Sequence, residues 1–456
     1  MNNFSGNVGE KNVGGNVGEK LKNARVNVIG AGLAGCEAAY YLASRGVKVT
    51  LTEMKPNKYT PAHESPLFCE LVCSNSLKSN DVYANACGLL KEEMRLIGSL
   101  TMQAAESCAV PAGGALAVDR EKFAAYVTAK IRAQKNITIE VGEARGIPQV
   151  SGNDYAFIAT GPLTADELAA DIEKKTGKNL HFFDASAPVI AADSVDYSRA
   201  FTQDRYGKGT GDYVNCPLTK EEYYSFVSAL VSAEKATLHE FEKGEIFEGC
   251  MPIEVMASRG TDTLRYGTLK PVGLSADGKR PFAVAQLRKE NTQGTAYNLV
   301  GFQTNLKFSE QKRVFSMIPA LKNAEYLRYG VMHRNSFILS PAVLNGDFTF
   351  KYNRNVRFIG QITGVEGYVE SAASGLFAAA YLFDELTGNA RGVAPKETVT
   401  GALSAYLVAP NADFQPMNAN FGILPPPGTR IRDKKERYRA LATRSLAAMK
   451  EWAEKE

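Results

Sequence analysis

Residues 71–77 read LVCSNSL, and residues 30–35 read GAGLAG. The first stretch sets a thiol, Cys73, between an apolar pair and a short polar run. Four roles are open to such a cysteine: buried packing residue, half of a disulfide, metal ligand or, as thiolate, nucleophile. The second is a GxGxxG turn made by Gly30, Gly32 and Gly35, with Ala31, Leu33 and Ala34 between them. It follows an apolar stretch, RVNVI, and opens a segment with apolar residues at helical spacing, CEAAYYLASRG. A further apolar stretch, VKVTLTE, ends at Glu53, 23 residues after Gly30. Each part has a reason. Gly30 permits the tight turn, Gly32 lets a pyrophosphate approach the backbone, and Gly35 lets helix and strand pack closely, with the phosphates on the helix N-terminus. Glu53 would accept hydrogen bonds from a ribose and repel a 2′-phosphate. The unit predicts a bound dinucleotide without separating FAD from NAD.

Two distant segments bear on that choice. AFIATGPL (156–163) reads as a buried strand ending in a turn at Gly161, and RFIGQITGVEGYVESAASGLFAAAYL (357–382) reads as a strand, a Gly-rich loop and a small-residue helix. Both resemble the later pieces of the large FAD-binding fold, in which the last loop and helix face the flavin ring. Gly360-Gln361 stands where many such flavoproteins carry Gly-Asp. No second GxGxxG follows a strand, so a dedicated NAD(P)H domain is not expected, and a nicotinamide would visit the flavin transiently.

Composition limits the rest. With 456 residues, 45% hydrophobic and 22% charged, the chain has material for two or three domains. It has no run of the roughly 18 apolar residues that a membrane span needs, and its N-terminus, MNNFSGNVGEKNVGGNVGEK, lacks the apolar stretch of a secretion signal, so a cytoplasmic location is expected. Residues 1–23, rich in Gly and Asn with isolated Val, read as a disordered tail. Seven cysteines without a CxxC pair predict reduced thiols, and four scattered histidines predict no metal site. The net charge of +4 is compatible with a polyanionic partner without requiring one.

More specific segments run through the chain: VNVIGAGLAGCEAA, LVCSNSL, LLKEEMR, VPAGGALAVDR, FEGCMPIEVMA, LKPVGL, VGFQTNLK, RYGVMHRN, TGVEGYVESAASG and FQPMNANFG. Together, from about Arg25 to about Arg444, they resemble the bacterial folate- and FAD-dependent tRNA uracil-5-methyltransferases. A sister group of flavoproteins that modify the wobble uridine shares the architecture and is longer at its C-terminus. The resemblance implies an α/β fold: a large FAD-binding domain (Rossmann-like, GR2-type) with an inserted α+β domain. Its parts are expected at 24–163 and 322–456 for the FAD domain and 164–321 for the insertion.

The same resemblance implies methylation of carbon 5 of the T-loop uridine in tRNA. Methylenetetrahydrofolate is then the one-carbon donor, reduced FAD the hydride source, and NAD(P)H the reductant of FAD. It implicates two cysteines, Cys73 and Cys250 in FEGCMPIE, 177 positions apart in sequence. One thiolate would add to carbon 6 of the base, a role read here for Cys250, with Cys73 as proton-handling partner and the reverse assignment open. Within RYGVMHRN, His333 and Arg334 are read as substrate-binding residues, His333 against the folate. Cys36, Cys87, Cys108 and Cys216 are read as packing residues. Cys69, where the family usually has alanine, is either inert packing or an oxidation partner of Cys73. Arg259, Arg265, Lys270, Lys279, Arg280 and Arg288 are candidates for holding the RNA backbone, and the basic run Arg430–Arg444 is a solvated face that also suits phosphates. Ribosomal RNA as target, a wobble-uridine-modifying flavoprotein, a small-molecule flavin oxidoreductase and a non-catalytic flavin-containing RNA-binding protein are the alternatives.

Overall fold

The computed structural model describes residues 20–177, 180–207, 209–236 and 251–455. The apolar stretch RVNVI forms strand β1 (Arg25–Ile29), LAGCEAAYYLAS forms helix α1 (Leu33–Ser44), and KVTLTE forms strand β2 (Lys48–Glu53). β1 is the hub of a six-stranded sheet, paired in parallel with β2 on one side and with Asp154–Ile158 on the other. Ile137–Val141 extends the sheet beyond β2, and Asn353–Phe358 adds in parallel to Asp154–Ile158. That last parallel strand comes from the far end of the chain, so the first and last parts of the sequence make one body. Thr349–Phe350 closes the far edge of the sheet in antiparallel pairing.

Small residues set how closely this body packs. Helix α1 crosses the long helix Tyr368–Thr387, and a Cβ on Gly375 of that helix would overlap the carbonyl of Ala34. Behind them, the C-terminal helix Lys434–Glu454 buries Leu441, Met449 and Trp452 in the same core. The Trp452 ring lies 5.7 Å from Phe377 and 6.0 Å from Tyr381, and its Nε1 donates to the Gly392 carbonyl at 3.1 Å. The basic run 430–444 thus belongs to an amphipathic helix start. Arg444 caps the Pro425 and Pro426 carbonyls, while the arginines and lysines before it lie toward solvent.

The second body is built on an antiparallel sheet in the order Phe201–Thr202, Tyr213–Leu218, Ala283–Lys289, Ala296–Leu299, Val189–Ala191, Tyr326–Arg328. It has a core of its own around Phe226, Phe302 and Phe315. The pairing of Tyr326–Arg328 carries this body past residue 321, because that strand closes the sheet edge against Val189–Ala191. At the other end, helix Asp166–Thr176 buries Leu168 and Ile172 on the first sheet, so the crossover follows it. A two-stranded ribbon, Leu180–Ala185 with Met332–Phe337, carries the chain out and back.

Removing the Trp452 ring should leave a cavity under both long helices. We expect Trp452→Ala to cost about 3–5 kcal/mol of stability, measured by chemical denaturation. A loss below about 1 kcal/mol would show that the C-terminal helix does not close this core.

Candidate functional site

An open cleft lies in the first body, between the glycine turn with the ends of β1 and β2 on one side and residues 360–371 on the other, with Asn335 of the two-stranded ribbon in its lining. Gly30, Ala31, Gly32, Leu33, Ala34, Glu53, Gly161, Gly360 and Gln361 all line it, and Gly35 lies just behind. The geometry of the turn separates the three glycines. A Cβ on Gly30 (φ +99°) would stand 2.6 Å from the Ala159 carbonyl oxygen, and one on Gly35 would overlap the Gly30 carbonyl, so both are demanded by packing. A Cβ on Gly32 would meet nothing within 4 Å. The backbone is bare there toward the cleft, and Gly32 caps α1 with no side-chain hydrogen bond, leaving the first amides of the helix to a ligand. Glu53 accepts from the backbone N–H of Ala31 at 2.8 Å and of Lys55 at 3.0 Å, tying the turn to the end of β2. A carboxylate has about four acceptor sites, so capacity remains for a ribose. The donor set fits the dinucleotide expected from the sequence.

The opposite wall comes from the C-terminal part of the first body. Gly360 (φ +79°) donates its N–H to Ser374 Oγ at 2.7 Å, and Gln361 Nε2 donates to the buried Glu366 at 2.6 Å. Gly367 precedes the long helix without a side-chain cap, so the amides at that end also face the cleft beside Tyr368 and Ser371.

Cys73 lines the same cleft. Among the described residues the other cysteines are buried, and Cys73 alone is partly open. Burial pushes the thiols of Cys87 and Cys216 up to about 12 and raises those of Cys36 and Cys108, which suits packing and not reaction. Cys69 is buried next to Cys36. The Cys69 N–H and the Cys36 thiol both donate to the Ala31 carbonyl, at 3.0 and 3.3 Å.

The loop around Cys73 is gripped from both bodies. From the first, Arg120 donates to the carbonyls of Leu71 and Val72 at 2.8 and 3.1 Å, and Tyr368 Oη accepts from the Cys73 N–H at 2.7 Å. From the second, Arg328 donates to the Val72 carbonyl at 3.0 Å, and Arg288 donates to Asn75 and Ser74, both at 2.9 Å. Asn75 donates in turn to the Val118 and Lys289 carbonyls. Glu290 forms an ion pair with Arg120 and so joins the two bodies directly. Burial, with the neighbouring Cys73 as a further cause, raises the Tyr368 phenol well above its ordinary value, so it remains a neutral hydrogen-bonding group.

Arg288 corrects one reading from sequence. It is 5% exposed and its guanidinium is taken up by Asn75 and Ser74, so it cannot hold an RNA backbone. Arg265 is engaged with Asp262 and lies 3.7 Å over the Phe282 ring, whereas Arg259, Lys279 and Arg280 are exposed. Cys250 lies outside the described residues, as do the side chains of His333 and Arg334. The backbone of the latter two is on the strand Met332–Phe337, opposite Asp184 and Phe183, and the next residue, Asn335, lines the cleft. Tyr368, Asn335, Arg120 and Arg328 were not singled out from sequence. Each stands inside a segment quoted above (Arg120 in VPAGGALAVDR, Arg328 and Asn335 in RYGVMHRN, Tyr368 in TGVEGYVESAASG), but nothing local marks what any of them holds. Among the described residues no group of three or more His, Cys, Asp or Glu is placed to hold a metal ion, and no described helix is long and apolar enough to cross a membrane.

Against this geometry, residues 25–390 match the family model described as glucose inhibited division protein A. Curated proteins named methylenetetrahydrofolate–tRNA-(uracil-5-)-methyltransferase TrmFO match almost end to end. The one from Acetivibrio thermocellus is 53% identical over 94% of this chain and 99% of its own length, and one from Staphylococcus aureus is 53% identical over 93% and 98%. The chain belongs to the TrmFO family. Among solved structures, GidA of Aquifex aeolicus superposes with a TM-score of 0.68 at 16% identity, over 95% of this chain and 74% of that one, which shows a shared fold. The family's FAD-binding architecture thus agrees with the glycine turn, the bare backbone at Gly32 and the return of the long helix to the cleft.

The differing roles of the three glycines make a sharp expectation. Gly32→Val should fold with a melting curve near that of the parent yet lose the flavin absorbance near 450 nm. Gly30→Val and Gly35→Val should fail to fold. A folded Gly32→Val protein with full flavin content would remove the pyrophosphate from this turn.

Proposed function

We propose that this chain methylates carbon 5 of the T-loop uridine in tRNA, with methylenetetrahydrofolate as one-carbon donor. The observation that carries the reading is Cys73. Its loop is fixed by residues of both bodies, and it faces the cleft that also holds the dinucleotide turn. The names of relatives 53% identical along their whole length support the same reaction.

The chemistry needs a thiolate that adds to carbon 6 of uracil, which makes carbon 5 nucleophilic, and a group that removes the carbon 5 proton after the one-carbon unit is attached. We assign the addition to Cys250 and the proton to Cys73. When bound, FAD supplies the one-carbon relay and the hydride, with NAD(P)H as the source of its electrons. The glycine turn with Glu53, Gly161, Gly360 and Gln361 holds the cofactor. Asn335 and the strand bearing His333 and Arg334 face the folate and the base. The uridine must leave its stack to enter the cleft, and the exposed Arg259, Lys279 and Arg280 of the second body hold the RNA outside it.

Incubation with NADPH, methylenetetrahydrofolate and either unmodified tRNA or ribosomal RNA, followed by nucleoside mass spectrometry, tests the reading. We expect 5-methyluridine in tRNA and tetrahydrofolate as the folate product. Methylation confined to ribosomal RNA would move the substrate, and dihydrofolate accumulating in step with 5-methyluridine would move the hydride from flavin to folate.

The two thiols are separable with 5-fluorouridine in the RNA, because fluorine does not leave as a proton does. Cys250→Ala should abolish both the trapped covalent complex and methylation. Cys73→Ala should lower methylation by about 10²–10⁴-fold, the range of a positioned acid or base, while still trapping RNA. The opposite pattern exchanges the roles.

A further inference from the structure

Three aromatic rings are stacked in a column on the second body. The Tyr326 and Tyr329 rings lie 4.9 Å apart with their planes 2° from parallel, and Tyr329 and Phe308 lie 4.6 Å apart at 15°. The column has an inside and an outside. Tyr326 is half-buried, and burial pushes its phenol upward; its Oη donates to the Gln311 carbonyl at 3.4 Å. Phe308, at the other end, is 53% exposed. A phenylalanine that opens a helix and shows half its surface to water does not stabilise the fold as burial would.

The column is clamped and is joined to the site through the chain that follows it. Gln311, on the same helix as Phe308, is fully buried, donates to the Leu306 and Gly330 carbonyls at 2.8 and 2.7 Å, and accepts from the Gly330 N–H at 2.9 Å. That clamp fixes Phe308 against Tyr329. Arg328, the neighbour of Tyr329, is the residue that holds the Val72 carbonyl beside Cys73. The chain then continues through Met332–Phe337 into the cleft at Asn335. Lys307, Lys312 and Arg313 are exposed beside Phe308; Lys307 pairs with Glu234 and Arg313 with Glu310, which leaves the charge of Lys312 to favour an anion there.

We propose that the outer face of Phe308 is a stacking platform for an unpaired base of the RNA substrate, positioned where the strand approaches the cleft. A planar π face beside the exposed Lys312 suits a nucleobase with its phosphates, and aromatic stacking binds any base by its face. When the target uridine leaves its stack, a neighbouring base loses a partner, and the ring replaces it. The assignment rests on the RNA reading given above and adds the residue that receives the strand.

Phe308→Ala, Phe308→Leu and Phe308→Trp, each loaded with FAD, test it against unmodified tRNA. Phe308→Ala should raise the Kd and KM for tRNA by roughly 5- to 100-fold, the span of base stacking on one ring. The KM for methylenetetrahydrofolate and the turnover at saturating tRNA should stay within about twofold, since the ring acts only on binding. Phe308→Leu keeps apolar area without a plane and should resemble Ala, while Phe308→Trp should bind at least as tightly as the parent. Unchanged tRNA affinity in the Ala variant would overturn the platform, and so would parent-like binding by Leu. A dimer in the parent that becomes a monomer in Phe308→Ala would assign the ring to a protein interface instead. If the parent methylates no tRNA, the function proposed above fails, while the ratio of the direct tRNA Kd values still decides the platform.

Discussion

Backbone approaching backbone, with no Cβ between, is the constraint from which the cofactor cleft follows. Gly30 faces the Ala159 carbonyl, Gly35 faces the Gly30 carbonyl, and Gly375 faces the carbonyl of Ala34. These contacts bring the segments around Gly30, Ala159 and Gly375, far apart in sequence, to one point. Because the contacts are steric they tolerate almost no substitution, and they set the spacing of β1, α1 and the helix Tyr368–Thr387 before any ligand arrives. Gly32 is the exception within the turn, and its freedom from internal contact is what leaves room for the pyrophosphate.

A second constraint is polar. The carbonyls and side chains of residues 71–75 lie where two bodies meet, out of reach of regular secondary structure, and an unpaired buried polar group costs about 1–3 kcal/mol. Three arginines and one tyrosine from outside the loop meet that demand, and Asn75 of the loop itself donates to the Val118 and Lys289 carbonyls. Arginine suits the task because its planar fork presents five donors in fixed directions. The result is a loop whose polar groups are held by side chains from both bodies while its one thiol remains partly open to the cleft.

How much of this could be read in advance depended on distance along the chain. The glycine turn and Glu53 were legible because strand, turn, helix and acid follow one another without interruption from Arg25 to Glu53, and local spacing encodes their geometry. The segments at 156–163 and 357–382 were legible as pieces, and the sheet joins them as expected. Arg288 was misread because a lone arginine in an antiparallel strand carries no mark of its partners, and Asn75 sits 213 residues earlier. Tyr368, Arg120 and Arg328 escaped for the same reason. The extent of the second body was set by an edge strand, Tyr326–Arg328, too short to show a period of its own. Trp452 is the chain's single tryptophan, and only the packing reveals that it seals the core against the long helix.

The grip on the Cys73 loop also sets an order of events during synthesis. Its anchors are supplied by residues 118–120, 288–290, 328 and 368, so a chain emerging from the ribosome carries the thiol long before it carries the groups that hold it. Contacts of such large sequence separation form late, because closing long loops is paid in entropy before the contacts return anything. The chain up to Ile158 can pair four parallel strands by itself, but it lacks the fifth, Asn353–Phe358, and the helix that covers α1. Assembly of the reactive pocket is therefore coupled to completion of the polypeptide, and a truncated product would be left with neither a finished cofactor cleft nor a positioned thiol.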